Sequence, residues 1–373
     1  MSHLSLDAFA TITCLETLAA AHRRALSGKR DNKTATKSNY SFMSELLQLQ
    51  KELHDGSYIP RPYRNRIITE PKLRHIEAPA FRDRIVHHAI HCVLSPFYER
   101  HFIRDSYACR PNKGTHRAVT RVQYFLRSEP NLYVCQLDIS KYYGSINHQR
   151  LKELLAKHIG DQRVLSLLGI IIDSTDSGHE YDELFPADSH FHTKGRRGIP
   201  IGNLTSQLFA NIYLHEADVF AKQHLHAKFY IRYMDDILLL HTDKEVLRKW
   251  QRQMTSFLYD VLYLTVNPRK VRFYPARIGV SFVGYTIYPY TRKVRGSSVR
   301  RFRKRFHRNV RGYLAGTVPE SRLNDMVNAW SAHVKHGCGE PLAKQVEEER
   351  DAAVFVHYVQ EEYRKAIKRR NSS

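Results

Sequence analysis

The sequence Tyr233-Met234-Asp235-Asp236 decides the fold of this chain, because it places two adjacent aspartates between two apolar runs. Ile231-Arg232 precedes it and Ile237-Leu238-Leu239-Leu240 follows it. Apolar runs on both sides of a polar tip predict a β-hairpin with the two carboxylates at its turn. Neighbouring carboxylates are costly to bury unless a cation neutralises them. Because hard oxygen ligands suit Mg²⁺, the stretch indicates a magnesium site beside substrate phosphates.

A third carboxylate occurs upstream in a matching context. The stretch Leu132-Tyr133-Val134-Cys135-Gln136-Leu137-Asp138 reads as a strand that ends in Asp138, and residues that suit the start of a helix follow it. An Asp-Asp dipeptide alone indicates an ordinary turn, and a strand that ends in a solvated aspartate is the second structural reading. Two strand ends far apart in sequence can instead bring Asp138 and Asp235 together around two metal ions. Such a pair stabilises the attacking and leaving oxygens of an in-line phosphoryl displacement.

The two motifs resemble motifs A and C of polymerase palms, and the Tyr-Met-Asp-Asp sequence in particular resembles a reverse transcriptase. Further blocks resemble those of group II intron-like reverse transcriptases and occur in the same order. They are a fingers motif at residues 71–74 and 81–86, the next block at 107–116, motif B at 198–211 and a primer-grip hairpin at 282–285. With residues 28–30 and 329–333, the pattern is similar to the reverse transcriptases of diversity-generating retroelements.

The resemblance and the order of predicted elements imply an α+β fold, the right-hand polymerase fold. The expected divisions are an N-terminal helical extension at residues 1–60, fingers at 61–133, a palm at 134–290, and a helical thumb with a C-terminal helix at 291–373. The palm would be an antiparallel sheet packed by helices. Residues 172–197 carry Asp, Ser, Gly and His without periodicity, so they predict a loop insertion in the palm.

Motif B departs from the pattern of most group II-like enzymes. Those enzymes carry Gln-Gly and then Ser-Pro in this block, whereas this chain carries Ile201-Gly202 and Ser206-Gln207. Isoleucine followed by Ser-Gln is the form associated with the retroelement family. It removes an amide that could hydrogen-bond near the incoming nucleotide. The alternative is that Ile201 merely packs on the palm helix.

The resemblance implies a role for each carboxylate of the catalytic motifs. Asp138 and Asp235 would bind two Mg²⁺ ions, with Mn²⁺ as a substitute, and Asp236 would complete the cluster with a less direct role. The backbone carbonyl of Ile139 would also reach a metal ion. Lys270 matches a motif D lysine that would protonate the leaving pyrophosphate.

The same resemblance implies a nucleotide pocket. Tyr143 would be an aromatic gate whose ring lies under the sugar and excludes a 2′-hydroxyl, so that deoxynucleotides are preferred. Lys72 and Arg74 would bind the triphosphate, although the alignment across a shortened hairpin leaves Arg82 or Arg84 open for this role. The remaining expected pocket residues belong to motif B and are Ile201, Gly202 and Gln207.

A basic stretch at residues 300–311 predicts a helix that contacts nucleic acid. Phe302, Phe306 and Val310 recur at i, i+4 and i+8 and form one face, which leaves the basic residues on the others. We expect the aromatic face to pack and the basic faces to lie along a duplex held through its backbone. A solvated charged helix is the alternative. The expected nucleic-acid ligands are Arg300, Arg301, Arg303, Lys304, Arg305, Arg308 and Arg311, together with Arg196 and Arg197 before motif B.

Composition agrees with a nucleic-acid enzyme. The chain has 59 Lys plus Arg against 37 Asp plus Glu, a net charge of +22, which favours phosphate backbones. Its five cysteines lack Cys-x-x-Cys spacing, which argues against a disulfide framework and for a reducing compartment. No apolar run is long enough to span a bilayer, and no leader pattern occurs at the N-terminus. We therefore expect a cytoplasmic protein of bacterial, archaeal or phage origin.

Together these features favour an RNA-directed DNA polymerase that copies a template RNA into cDNA from deoxynucleoside triphosphates. The resemblance further implies adenine-mutagenic copying for diversification of a target gene, with a small, basic, helical accessory protein, itself oligomeric, as partner. Within the enzyme class, the alternative is an antiphage-defence or stand-alone group II-like reverse transcriptase. If the chain is not an enzyme, the alternative is a catalytically silent RNA-binding scaffold. Such a scaffold would be expected to lose a metal-binding carboxylate.

Overall fold

The chain forms two compact units in the computed structural model. The structure describes residue 4 and residues 7–27, 42–68, 74–175 and 177–371. The first unit comprises Met1–Gly114 and Tyr133–Phe273, and the second comprises Thr115–Leu132 and Tyr274–Ser373. Residues 115–132 therefore group with the C-terminal part of the chain, whereas the sequence prediction assigned them to the fingers. The boundaries of fingers, palm and thumb remain predictions.

Helices and antiparallel strands alternate irregularly along the chain, as an α+β fold requires. The α-helices are α1 (Ala8–Thr13), α2 (Leu15–Leu26), α3 (Phe42–His54), α4 (Phe81–Glu99), α5 (Thr115–Ser128), α6 (Tyr142–Ser145), α7 (His148–Ala156), α8 (Gln162–Asp173), α9 (His190–Thr193), α10 (Leu204–Val219), α11 (Lys244–Asp260), α12 (Gly296–Leu314), α13 (Glu320–His336) and α14 (Glu340–Asn371). The strands are β1 (Arg64–Ile68), β2 (Arg74–Ala78), β3 (Tyr133–Asp138), β4 (Phe229–Tyr233), β5 (Asp236–His241), β6 (Arg272–Pro275), β7 (Val280–Phe282), β8 (Tyr285–Ile287) and β9 (Arg292–Val294). Short 3₁₀-helices occur at Ser177–Leu184, Pro268–Lys270 and Ala276–Ile278, and a π-helical turn occurs at Phe220–His224.

The central sheet of the first unit has the strand order β4-β5-β3-β6. β5 is the apolar run that follows the two aspartates, and its residues 237–240 are fully buried on both faces of the sheet. It pairs antiparallel with β4 on one side and with β3 on the other. Helix α11 packs against both β3 and β5. This burial anchors the strands whose ends carry the aspartates.

Helix α10 is the most deeply buried helix segment beside this sheet, because it is apolar on nearly every face. Leu208, Phe209, Ile212 and Tyr213 are all buried in it, as expected of a helix surrounded by protein. It packs against α4, where the His87 Nδ1 lies 2.8 Å from the Thr205 hydroxyl. The contact fixes the start of α10, which begins within motif B.

The second unit has its own core beneath the basic helix α12. Phe302 stacks on Trp330 of α13 with ring centroids 4.1 Å apart, and Phe306 is buried beside them. Val310 is partly buried against the same cluster, to which Val346 of α14 also belongs. The predicted helix and its packed aromatic face are confirmed. The small sheet of this unit has the order β7-β8-β9.

The loop predicted for residues 172–197 is wrong in part. Its first two residues end α8, and it contains the 3₁₀-helix Ser177–Leu184 and the short helix α9. Phe185 stacks on Phe191 with ring centroids 3.9 Å apart, and the His192 Nε2 lies 3.1 Å from the Asp182 carbonyl. These contacts join residues six to ten positions apart. A search for helical or strand periodicity does not detect such an arrangement.

The five cysteines are free thiols. Cys135 is buried in β3, and burial raises the pKa of its thiol to about 12. Cys109 in the first unit and Cys338 in the second are exposed. Over the part of the chain that the structure describes, no helix combines the length and the apolar character needed to cross a bilayer.

Candidate active site

Antiparallel pairing brings the three predicted catalytic aspartates to one end of the central sheet. Asp138, the last residue of β3, pairs with Asp236, the first residue of β5. Asp236 also pairs with Tyr233 of β4, so that Met234 and Asp235 form a two-residue hairpin turn. Met234 has φ of 55°, a left-handed conformation that two-residue hairpins use. The hairpin predicted from the sequence is confirmed, and so is its neighbour strand.

A buried ion pair supports this turn from behind. Arg232 and Asp218 are both fully buried and form two hydrogen bonds, with the Arg232 Nε and Nη2 donating at 2.7 and 2.6 Å. The Arg232 Nη1 donates to the Met234 carbonyl and to the Asn211 side chain, each at 3.2 Å. Burial would lower the pKa of Arg232, but the Asp218 carboxylate outweighs it and holds that pKa above its usual value. The guanidinium is therefore a permanent cation that orients the turn.

Two carboxylates of the cluster have donors of their own. The Lys270 Nζ lies 2.5 Å from the Asp138 Oδ2, and the Gln136 Nε2 donates to the Asp236 Oδ1 at 2.9 Å. Among the described residues, no three His, Cys, Asp or Glu side chains are gathered closely enough to hold a metal ion. The metal-binding role of this cluster remains a prediction.

The backbone around Ile139 leaves its carbonyl outside the local ladder. Ile139 and Val266 form an isolated antiparallel bridge. The two hydrogen bonds of this bridge run from the Ser140 N–H to the Thr265 carbonyl and from the Asn267 N–H to the Asp138 carbonyl, both at 2.8 Å. Neither uses the Ile139 carbonyl. This carbonyl is next to Asp138 in sequence, and its role as a metal ligand stays a prediction.

Tyr143 lies between the catalytic turn and motif B. It belongs to α6, which follows Lys141 in a left-handed conformation with φ of 46°. Its hydroxyl donates to the Met234 sulfur at 3.6 Å, and its carbonyl accepts from the Ile199 N–H at 3.0 Å. The predicted gate residue therefore contacts the turn that carries Asp235, and its role in sugar selection stays a prediction.

Motif B lies against β2 of the fingers motif. The Ile201 carbonyl accepts from the Glu77 N–H at 3.2 Å. Gly202 has φ of 130°, and a Cβ there would lie 3.2 Å from the Glu77 carbonyl oxygen, so this position requires glycine. Ile201 and Tyr143 line one small cavity, which favours a place for Ile201 at the nucleotide pocket over simple packing on α10. Gln207 is half-buried within α10.

The predicted triphosphate ligands are only partly visible. Lys72 lies outside the described residues, and of Arg74 only the backbone at the start of β2 is described. Arg82 forms an ion pair with Glu52, which assigns it to the fold of the first unit. Burial, together with Arg64 and Arg66, lowers the pKa of Arg84. Arg84 thus belongs to a group of like charges that phosphate would relieve, and of the two open candidates it is the better one.

The two arginines before motif B differ in their surroundings. Arg196 is exposed and donates to the Asp173 carbonyl at 3.0 Å. The Arg197 guanidinium lies 4.2 Å from the centre of the Phe191 ring and donates to the His190 carbonyl at 3.4 Å. Arg197 therefore holds the insertion together, and its predicted phosphate contact has no support from the structure.

The basic residues of α12 differ in the same way. Arg303 reaches α14, where it donates to Gln345 at 2.6 Å and lies 3.7 Å from Glu349. This places Arg303 between helices of the second unit rather than on a nucleic-acid surface. The other predicted ligands on the helix are exposed: Arg300, Arg301, Lys304, Arg305, Arg308 and Arg311.

The sequence patterns missed two groups of residues near the site. One is the Arg232–Asp218 pair, for which the only signal was a charged residue inside an otherwise apolar strand. The other lines the cavity beside Tyr143 and consists of His75, Glu77, Glu180 and Tyr181. These four come from β2 and from the insertion, which no local pattern brings together.

Comparison with known proteins gives the family. The family model described as "Reverse transcriptase (RNA-dependent DNA polymerase)" matches residues 65–287. Protein YkfC of Escherichia coli K12 is 33% identical over 229 residues, covering 58% of this chain and 56% of YkfC. The group II intron-encoded protein LtrA of Lactococcus lactis subsp. cremoris is 27% identical over 182 residues, covering 48% of this chain and 28% of LtrA. A solved structure of apo telomerase from Candida tropicalis has a TM-score of 0.45 and 13% identity, and the match covers 86% of this chain and 63% of that one.

The family model spans well over half of the chain and contains every catalytic aspartate described above. It confirms the predicted fold class, the right-hand polymerase fold. The chain spans only about half of YkfC and less than a third of LtrA. The chain belongs to the reverse transcriptase (RNA-dependent DNA polymerase) family.

Proposed function

We propose that this chain is an active RNA-directed DNA polymerase that extends a DNA strand on an RNA template by two-metal nucleotidyl transfer. One observation carries the proposal. Asp138 and Asp236 are paired at the ends of the adjacent strands β3 and β5, and Asp235 lies in the turn that joins β4 to β5. A silent scaffold would have no need to keep three carboxylates at one sheet end against their mutual repulsion.

The donor atoms at this end of the sheet have the chemistry that a pair of divalent ions would need. Asp138, Asp235 and Asp236 supply the hard oxygen atoms that Mg²⁺ prefers, and the Ile139 carbonyl adds another. When bound, the ions supply charge stabilisation at the attacking and leaving oxygens. Reverse transcriptases generally use divalent ions, and we propose two Mg²⁺ here, with Mn²⁺ as a substitute.

The chain's own side chains supply the remaining steps. Lys270 forms an ion pair with the Asp138 carboxylate, which supports the proposal that its ammonium group gives a proton to the leaving pyrophosphate. Tyr143 excludes the 2′-hydroxyl of a ribonucleotide. Arg84 and the residues of the β1–β2 hairpin attract the triphosphate of the incoming nucleotide.

The decisive experiment replaces Asp235 by asparagine. Asp235→Asn keeps the shape of the turn and removes one negative charge, so dNTP incorporation should fall at least about 1,000-fold, while binding of an RNA–DNA duplex stays within about twofold. Primer extension and filter binding measure the two quantities. Asp260→Asn on α11 is the matched control, because Asp260 is exposed and pairs only with the neighbouring Ser256.

Normal primer extension by pure Asp235→Asn protein would refute the mechanism. Tight duplex binding by the wild-type protein without any incorporation, in either Mg²⁺ or Mn²⁺, would instead favour the RNA-binding scaffold.

We further propose that the enzyme belongs to a diversity-generating retroelement and makes cDNA with errors at template adenines. Ile201 supports this proposal, because an apolar side chain lines the cavity beside Tyr143 where related enzymes carry glutamine. Loss of one hydrogen bond near the templating pair weakens discrimination by about 0.5–1.5 kcal/mol, roughly threefold to tenfold. A small, basic, oligomeric accessory protein would work with the enzyme on its template RNA.

Ile201→Gln should lower the error rate at adenine by roughly threefold to tenfold, as counted by deep sequencing of cDNA from one template. Ile170→Gln is the control, because Ile170 is exposed on α8. Low and equal error at all four template bases in the wild type, even with the accessory protein added, would remove the retroelement proposal. The antiphage-defence or stand-alone enzyme would then be the better reading.

A further inference from the structure

The 3₁₀-helix Ser177–Leu184 packs directly against α6, the segment that carries the proposed sugar gate. One edge of the Tyr181 ring, its Cδ2 and Cε2 atoms, approaches the backbone at Gly144, and a Cβ at Gly144 would overlap that edge. Only glycine at position 144 allows this approach. The insertion and the gate segment are therefore in contact through one aromatic ring, next in sequence to Tyr143.

Several contacts fix the Tyr181 ring in this place. The Lys141 ammonium lies 4.6 Å from the ring centre, on the side where α6 begins. The neighbouring Glu180 lies 3.4 Å from the His75 Nδ1 on β2, and the Gly178 N–H donates to the Arg197 carbonyl at 3.2 Å. The ring is thus anchored to three separate parts of the first unit.

Tyr143 is bounded on its other sides by the catalytic turn and by motif B. Its hydroxyl reaches the Met234 sulfur and its carbonyl accepts from the Ile199 N–H. Tyr143 and Tyr181 line the same small cavity. If Tyr181 were absent, α6 would have open space in the one direction where the insertion now blocks it.

We propose that Tyr181 is a positioning residue for sugar selection, which holds α6 so that Tyr143 cannot retreat from a 2′-hydroxyl. The inference rests on the proposed polymerase function and on Tyr143 as its gate. A steric gate works only while its ring is rigid, and a displacement of about 1 Å in a reactive site is enough to change rates by orders of magnitude. The insertion thereby becomes part of the substrate specificity of the enzyme.

The test measures kcat/KM for dNTP and rNTP incorporation on an RNA template. Tyr181→Ala should lower the dNTP/rNTP preference by about tenfold or more and change dNTP incorporation by less than about threefold. Tyr181→Phe keeps the ring and should retain the wild-type preference. Leu184→Ala is the matched control, because Leu184 lies exposed on the same 3₁₀-helix. A merely structural role would lower both rates together and leave the preference unchanged.

Combination with Tyr143→Ala shows whether Tyr181 acts through the gate. The double variant should have the preference of Tyr143→Ala alone. Two outcomes would overturn the proposal without refuting the polymerase function. In the first, the double variant has a lower dNTP/rNTP preference than Tyr143→Ala alone. In the second, Tyr143→Ala loses the preference and Tyr181→Ala keeps it. If Tyr181→Ala does not fold, Gly144→Ala, which pushes the ring away, must give the same loss of preference. Absence of incorporation by the wild type would refute the proposed function itself.

Discussion

Arg232 is the one arginine in the described structure that is fully buried, and its position explains how the catalytic turn keeps its shape. A buried guanidinium is stable only when its donors are satisfied. Here they are satisfied by Asp218, Asn211 and the Met234 carbonyl. The same pair that neutralises the charge also fixes the backbone between Tyr233 and Asp236. Electrostatic stability and catalytic geometry thus depend on one side chain.

Asp218→Asn should destabilise the protein by about 3–5 kcal/mol, because it leaves the Arg232 charge buried without a negative partner. Urea unfolding followed by circular dichroism measures the change. Glu216→Gln, two residues earlier on α10, removes a surface partner of Lys157 and should cost at most about 1 kcal/mol. Equal effects of the two substitutions would contradict the role assigned to the buried pair.

The contact between α4 and α10 makes the stability of the fold depend on pH. Burial lowers the pKa of His87 from 6.5 to about 4, and the nearby His88 adds to the effect. His87 is therefore neutral in the folded protein at pH values where it is protonated in the unfolded chain. The unfolded state then binds the additional proton, so this part of the stability is present above pH 6.5 and is lost as the pH falls toward 4.

As the pH falls from 7.5 to 5, protonation of His87 in the unfolded chain should lower the free energy of unfolding by about 2 kcal/mol. Urea unfolding at the two pH values measures the difference. His87→Gln retains a polar group for Thr205 and has no titrating imidazole. Over the same pH range, the free energy of unfolding of this variant should therefore fall by about 2 kcal/mol less than that of the wild type. An identical pH dependence in the variant would show that other groups cause it.

Some elements of each unit could be predicted because they depend on local patterns. The apolar run after Asp236 and the spacing of Phe302, Phe306 and Val310 are such patterns, and each predicts an element that the structure contains. The insertion could not be predicted in the same way, since Phe185 pairs with Phe191 and Tyr181 with Gly144 across irregular backbone. Likewise, Asp218 and Arg232 meet only because α10 and β4 pack together. These arrangements depend on contacts between elements, which local sequence patterns do not show.

The net charge of +22 is a property of the whole molecule, but the basic side chains of α12 differ in their exposure. Lys304 and Arg311 are exposed on α12, whereas Arg303 is held by Gln345 and Glu349 of α14. When an exposed Lys or Arg side chain neutralises a phosphate, counterions are released from the nucleic acid. A side chain that is already paired within the protein causes less of this release.

Lys304→Gln and Arg311→Gln should each weaken binding of an RNA–DNA duplex and reduce the slope of log K against log salt concentration by roughly 0.7–0.9. Titrations by fluorescence anisotropy at several salt concentrations give the slope. Arg303→Gln on the same helix should leave the slope unchanged within error and act through stability instead. A slope change for Arg303→Gln equal to that of the other two would contradict the assignment.

The distribution of thiols offers a way to observe the molecule at work. Cys109 and Cys338 are exposed, one in each compact unit, whereas Cys135 is buried, and burial raises the thiol pKa of both Cys109 and Cys135. Maleimide dyes react with accessible thiolates, so a chain in which Cys14 and Cys92 are replaced by serine accepts one dye at each of its two natural exposed positions. The fluorescence of each dye then reports, molecule by molecule, on the surroundings of its own unit as nucleotides are added.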